Sequence, residues 1–92
     1  MIASDIKNGS GWAGIIEGQN VAIYNDNGSL IVLDNTCTHA GCQTEWNENE
    51  KSWDCPCHGS RYKPEGLVIK GPSGSPLPKL SYTKIDGDIR LI

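Results

Sequence analysis

All four cysteines and both histidines of this 92-residue chain fall in two hexapeptides. "CTHAGC" runs from Cys37 to Cys42 and "CPCHGS" from Cys55 to Ser60. Thiolate and neutral imidazole are ligands that suit zinc or iron. The spacing is Cys37-x-His39, then fifteen residues, then Cys55-x-x-His58. Four such ligands on two loops can meet at one point if the loops fold toward each other. A tetrahedral zinc site is the plain reading. One residue between Cys37 and His39 is tight for two ligands on one ion. It is less tight if the two side chains bind different irons of one cluster. Cys42 and Cys57 are left over, and taken alone each reads as a small buried apolar residue.

The pattern C-x-H, fifteen to seventeen residues, C-x-x-H resembles the Rieske [2Fe–2S] signature, and "CTHAGC" and "CPCHGS" match it residue by residue. The resemblance implies one [2Fe–2S] cluster per chain. Cys37 and Cys55 would bind the inner iron, and His39 and His58 the solvent-facing iron. Two neutral imidazoles in place of two thiolates remove negative charge from the site. An added electron then meets less repulsion, and the potential rises to roughly −150 to +300 mV from about −400 mV in plant-type ferredoxins. The resemblance also pairs Cys42 with Cys57 in a disulfide between the two ligand loops. Rieske-type ferredoxins and oxygenase domains usually lack that bridge.

Further roles follow from the same resemblance. Ser60 would donate a hydrogen bond to a bridging sulfide and Tyr62 to a cysteine sulfur. Both bonds favour the more negative, reduced state. Read alone, Ser60 is a turn residue and Tyr62 a core aromatic. Gly71-Pro72 resembles the proline loop that covers the cluster from a third side; by loop statistics alone it is a surface connection. Between His39 and Gly41, quinol-oxidising members of the family typically carry Leu. Here the residue is Ala40, a departure that counts against quinol docking.

The elements that must position these loops are short. Trp12–Glu17, Val21–Tyr24, Leu30–Leu33, Leu67–Ile69, Ser81–Ile85 and Ile89–Ile92 read as strands between Gly/Asn/Asp turns. Asn25-Asp26-Asn27-Gly28 and Asp86-Gly87-Asp88 are hairpin signals. No helical apolar periodicity exceeds two turns. The expected fold is all-β, a Rieske-type antiparallel sandwich or barrel. Residues 1–92 form one domain, with a two-loop cluster-binding subdomain over about 35–76 inserted in the β base. Within it, the polar stretch 35–62 is poor in strand signal and is expected to be a structureless functional insertion. Glu45–Glu50 reads most simply as a solvated loop, the alternative being an acidic docking face.

Composition narrows the partners. The net charge is −3, with dispersed basic residues, so nucleic acid is not an expected partner. No apolar run reaches the roughly 20 residues of a membrane helix. The start lacks the pattern of a signal peptide. No triad, carboxylate dyad or phosphate loop competes with the cluster, so the chain is read as an electron-transfer component without catalytic residues of its own. The linker "QTEWNENEKSWD" and the later "LVIKGP" resemble the C-terminal Rieske domain of bacterial FAD-dependent, DadA-like oxidoreductases. That resemblance implies an excised cytoplasmic domain relaying single electrons to or from a flavin domain. The alternatives are a stand-alone Rieske-type ferredoxin or nitrite reductase small subunit, and the extrinsic Rieske domain of a quinol–cytochrome c or plastocyanin reductase. A zinc-stabilised binding module is the alternative from another class.

Overall fold

The computed structural model describes residues 5–36, 42–57, 59–71 and 74–92. Among these residues all regular structure of any length is β, in nine strands and three antiparallel sheets.

The base is a three-stranded meander of β1 (Gly11–Ile16), β2 (Gln19–Asp26) and β3 (Ser29–Asp34). β2 is central and is covered on both sides, which explains why "VAIY" and "LIVL" read as continuous apolar runs rather than alternating ones. Alternation decides which residue faces which layer. Val21 and Ile23 of β2, with Leu30 and Val32 of β3, join Ile6, Ile16 and Ile89 in one core. Ala22 and Leu33 face the other way and meet Trp53, Tyr62 and Leu77 in a second. The first core is closed by the hairpin of β8 (Tyr82–Ile85) and β9 (Asp88–Leu91), which brings Ile89, Tyr82 and Leu91. The second is closed by a four-stranded sheet, β4 (Glu45–Asn47), β5 (Ser52–Asp54), β6 (Arg61–Tyr62) and β7 (Val68–Lys70).

The β2–β3 turn places Asn27 at φ 56° and Gly28 at φ 95°. Positive φ at both central residues is the primed turn whose twist suits a two-residue hairpin. Asp86-Gly87 repeats the geometry between β8 and β9, at φ 51° and 79°.

The stretch 35–62 departs from its expected lack of structure: it carries β4, β5 and β6. These strands are three, three and two residues long, too short for local propensity to announce them. What makes them strands is packing. Trp46, Trp53 and Tyr62 stand directly opposite one another across the three strands. The Trp46 and Trp53 rings lie 4.8 Å apart, centre to centre, and Tyr24 of the base meets Trp46 at 5.4 Å. The Trp53 indole N–H donates to the Pro64 carbonyl at 3.1 Å. Gly11, at the start of β1, lets this stack approach: a Cβ there would lie 2.6 Å from the Trp46 ring. After β7 the chain returns along β3, where the Asp34 amide donates to Pro78 and the Leu80 amide to Val32.

The 45–50 segment is also more ordered than a solvated loop. Glu48 accepts from the Trp46 indole and the Ser10 hydroxyl, each at 2.8 Å, and pairs with Lys51. The Lys51, Trp46 and Ser10 donors hold its carboxyl down at about 2, well below the ordinary carboxylate value.

Candidate metal centre

Two loops lead into the same end of the four-stranded sheet. The first leaves β3 after Asn35 and returns at Thr44, ahead of β4. The second runs from Cys55, after β5, to Ser60, before β6. Each is closed at its base by a polar clip.

At the first loop, Asn35 and Thr44 are both buried, each 2% exposed. The Asn35 side-chain oxygen accepts from the Thr44 amide at 2.9 Å and the Thr44 hydroxyl at 2.5 Å. The Asn35 side-chain amide donates to the Thr44 carbonyl at 3.2 Å. At the second, Asp54 and Arg61 face each other across β5 and β6. Arg61 Nε donates to Asp54 Oδ1 at 3.0 Å. Ser52 and Asn47 add donors to the same carboxylate at 2.7 and 2.9 Å. Partial burial pushes the Asp54 carboxyl up. The Arg61, Asn47 and Ser52 hydrogen bonds together outweigh that, and its pKa is lowered.

Within the second loop the Cys55 amide donates to the Ser60 carbonyl at 2.8 Å, and the Gly59 amide donates to the Cys55 carbonyl at 3.1 Å. Gly59, at φ 78°, makes that tight return possible. The result buries Cys55 to 2% and Ser60 to 0%, while Pro56 and Cys57 stay exposed. Gly71, immediately after β7, presses on the loop from another side. A Cβ at this position would fall 2.4 Å from Ser60 Cα and 2.9 Å from Ser60 Oγ. Any side chain at 71 therefore displaces the residue that closes the loop.

The two loops are joined covalently. Cys42 and Cys57 form a disulfide with their Cα atoms 6.5 Å apart. This is the pairing the resemblance implied. Tyr62 is fully buried in the second core, two residues beyond Ser60. Cys37, His39, His58 and Pro72, assigned from the sequence, lie outside the described residues, as does Ala40. Cys55 and Ser60 lie in the second loop, Gly71 packs against it, and Tyr62 follows on β6.

The sequence reading missed the clips. Asn35, Thr44, Asp54 and Arg61 carry no spacing signature, since each pair is defined by strand register. The one available signal was position, immediately before and after each hexapeptide.

The donor set fits a [2Fe–2S] cluster. Cys55 is a cysteine outside the disulfide, buried on a tightly turned loop, and the bridge ties Cys42 to Cys57 in that same loop. Among the described residues no buried side-chain nitrogen or oxygen lacks a hydrogen-bond partner.

Comparison with known proteins agrees. The profile of the Rieske [2Fe–2S] domain matches residues 1–81. A putative Rieske 2Fe–2S iron–sulfur protein of Bacillus subtilis, YhfW, is 49% identical over 77 residues, covering 83% of this chain and 15% of that protein. A cytochrome b6-f complex iron–sulfur subunit of Synechocystis is 40% identical over 79 residues, covering 84% of this chain and 44% of the subunit. The chain thus spans less than half the length of these relatives. Among solved structures, a cyanobacterial plasma membrane Rieske protein from Synechocystis superposes with a TM-score of 0.81 at 28% identity, covering 99% of this chain and 94% of that one. The chain belongs to the Rieske [2Fe–2S] domain family, and its function is electron transfer through one [2Fe–2S] cluster.

Proposed function

We propose that Cys37, His39, Cys55 and His58 hold the cluster, and that the domain relays single electrons to or from a flavin-dependent oxidoreductase in the cytoplasm. The observation that carries the ligand assignment is the disulfide: it ties the two hexapeptides together beside buried Cys55.

When bound, a [2Fe–2S] cluster supplies a one-electron couple. The chain's own residues supply the rest. The Asn35–Thr44 and Asp54–Arg61 clips fix where each loop starts and ends. The Cys42–Cys57 bridge holds the loops together. Burial of Cys55 and Ser60 keeps water from the cysteine side. The Ser60 and Tyr62 hydroxyls are the donors proposed to favour the reduced state. Iron and acid-labile sulfide analysis tests the assignment, with about two of each expected per chain. One zinc and no sulfide would end it.

The flavin partner rests on the linker "QTEWNENEKSWD" and on the Bacillus relative, in which a Rieske segment occupies 15% of a much longer chain. The second reading is the extrinsic domain of a quinol-oxidising complex. It is favoured by the cytochrome b6-f relative and by the interloop disulfide, and opposed by Ala40. The polypeptide isolated from its native source separates them. A bound flavin in soluble fractions supports the first; membrane association without flavin supports the second.

A further inference from the structure

Glu45, Asp54, Arg61 and Lys70 stand directly opposite one another on β4, β5, β6 and β7. They form one row across the sheet, and it is the row nearest the ligand loops. Glu45 follows Thr44, Asp54 precedes Cys55, Arg61 follows Ser60, and Lys70 precedes Gly71. Behind the first three stand Trp46, Trp53 and Tyr62, whose side chains pack inward. A register shift at Arg61/Tyr62 sets Lys70 against Arg61 while Val68, against Tyr62, stays with the core.

The order of charge along the row is negative, negative, positive, positive. Alternating signs would give three favourable neighbours. This order gives one, and like charges directly opposite are destabilising. Asp54–Arg61 is the row's single ion pair among the described residues. Glu45 and Lys70 are exposed, and neither side chain has a hydrogen bond or ion pair to a described residue. Stability alone does not favour this arrangement. It creates an acidic end over β4 and a basic end over β7. With three strand spacings between them, the ends lie about 14 Å apart. That exceeds the Debye length of about 8 Å at physiological salt, so an approaching surface feels each end separately.

We infer that this row orients the redox partner. The partner is a protein whose electron-exchange face is basic where it lies over β4 and acidic where it lies over β7. The inference rests on the reading above, that electrons pass through the loops the row adjoins.

Small oxidants of opposite charge test each end on the cluster-loaded domain. Hexacyanoferrate(III) takes one electron from the reduced domain and becomes hexacyanoferrate(II). Tris(phenanthroline)cobalt(III) does the same as a cation and becomes the cobalt(II) complex. Lys70→Glu is compared with Lys84→Glu on β8, which changes net charge equally. At low ionic strength Lys70→Glu should slow oxidation by hexacyanoferrate(III) about threefold more than Lys84→Glu does, and should speed oxidation by the cobalt complex. Glu45→Lys should have the opposite signs. All differences should vanish in high salt. Equal effects at positions 70 and 84 overturn the inference, as does a difference that survives high salt. Iron content and visible spectrum are read on every sample first, so a chain without the cluster is recognised before any rate is measured.

Discussion

The first ligand loop is closed by neutral groups in a dry place, and the second by an ion pair with about a third of each side chain in water. Asn35 gives its whole amide to Thr44, as acceptor twice and donor once. Asp54 draws on three residues from three strands. Burial decides how much each clip contributes. A buried polar group whose partner is removed loses protein and water together, whereas a half-exposed one falls back on solvent. The first clip therefore acts as a lock. The second leaves its loop adjustable, on the side that carries Cys55 and Ser60.

The disulfide makes the two loops one unit, so breaking it has the largest expected effect. Its sequence separation is 15 residues. Replacing both Cys42 and Cys57 by Ala should cost about 3 kcal/mol in urea unfolding of the metal-free domain. The double variant should also uncouple the loops. With the bridge intact, Asn35→Ala should speed amide exchange at Cys55 and Gly59 in the second loop; without it, the two amides should not respond.

Asn35→Ala comes next. It strands the Thr44 amide, hydroxyl and carbonyl in the interior, at a cost of about 2–3 kcal/mol. Asp54→Asn should cost only about 0.5–1 kcal/mol, as expected for a partly solvated pair. Equal losses in urea titrations of the two variants would remove the distinction between lock and adjustable clip.

Acid separates the clips further. The Asp54 pKa is lowered in the folded state, so its contribution is present above the unfolded carboxylate value. It is lost as pH falls through the folded value. The Glu48 contribution behaves likewise between its ordinary 4.5 and about 2. The Asn35 clip does not titrate. Stability against pH should fall below about pH 4 in the parent and in Asn35→Ala alike. Asp54→Asn should show a shallower acid limb.

The same contrast shows how far the sequence could be read. Ligand-type residues at fixed spacing identified both hexapeptides, and the left-over cysteines proved to be the bridge. The apolar runs and Asn27-Gly28 announced the base sheet and its turn, because local propensity and fold agree there. The insertion was misread because its strands owe little to propensity. Glu45, Trp46 and Asn47 form a strand because Trp46 finds Trp53 and Tyr24 in three dimensions. Asn35 and Arg61 were invisible for a related reason: a polar residue nine or seven positions from its partner leaves no periodic mark.

A last predicted effect concerns electronics rather than folding, and it lies on β6, just beyond the adjustable loop. Tyr62 is fully buried, beyond the Ser60 turn that carries Cys55. Removing its hydroxyl leaves the ring's packing against the second core in place. If that hydroxyl donates to a cysteine sulfur, the bond is stronger when the site carries the extra electron. A difference of about 1 kcal/mol between the two states corresponds to about 40 mV for a one-electron couple. Tyr62→Phe should therefore lower the reduction potential by about that amount, with iron content unchanged. Asn35→Ala, acting at the other loop, should leave the potential where it was once the cluster is loaded. A potential unmoved in Tyr62→Phe would make the tyrosine a packing residue only. A potential moved equally in Asn35→Ala would mean that the loops tune the cluster together, and that the disulfide carries the influence between them.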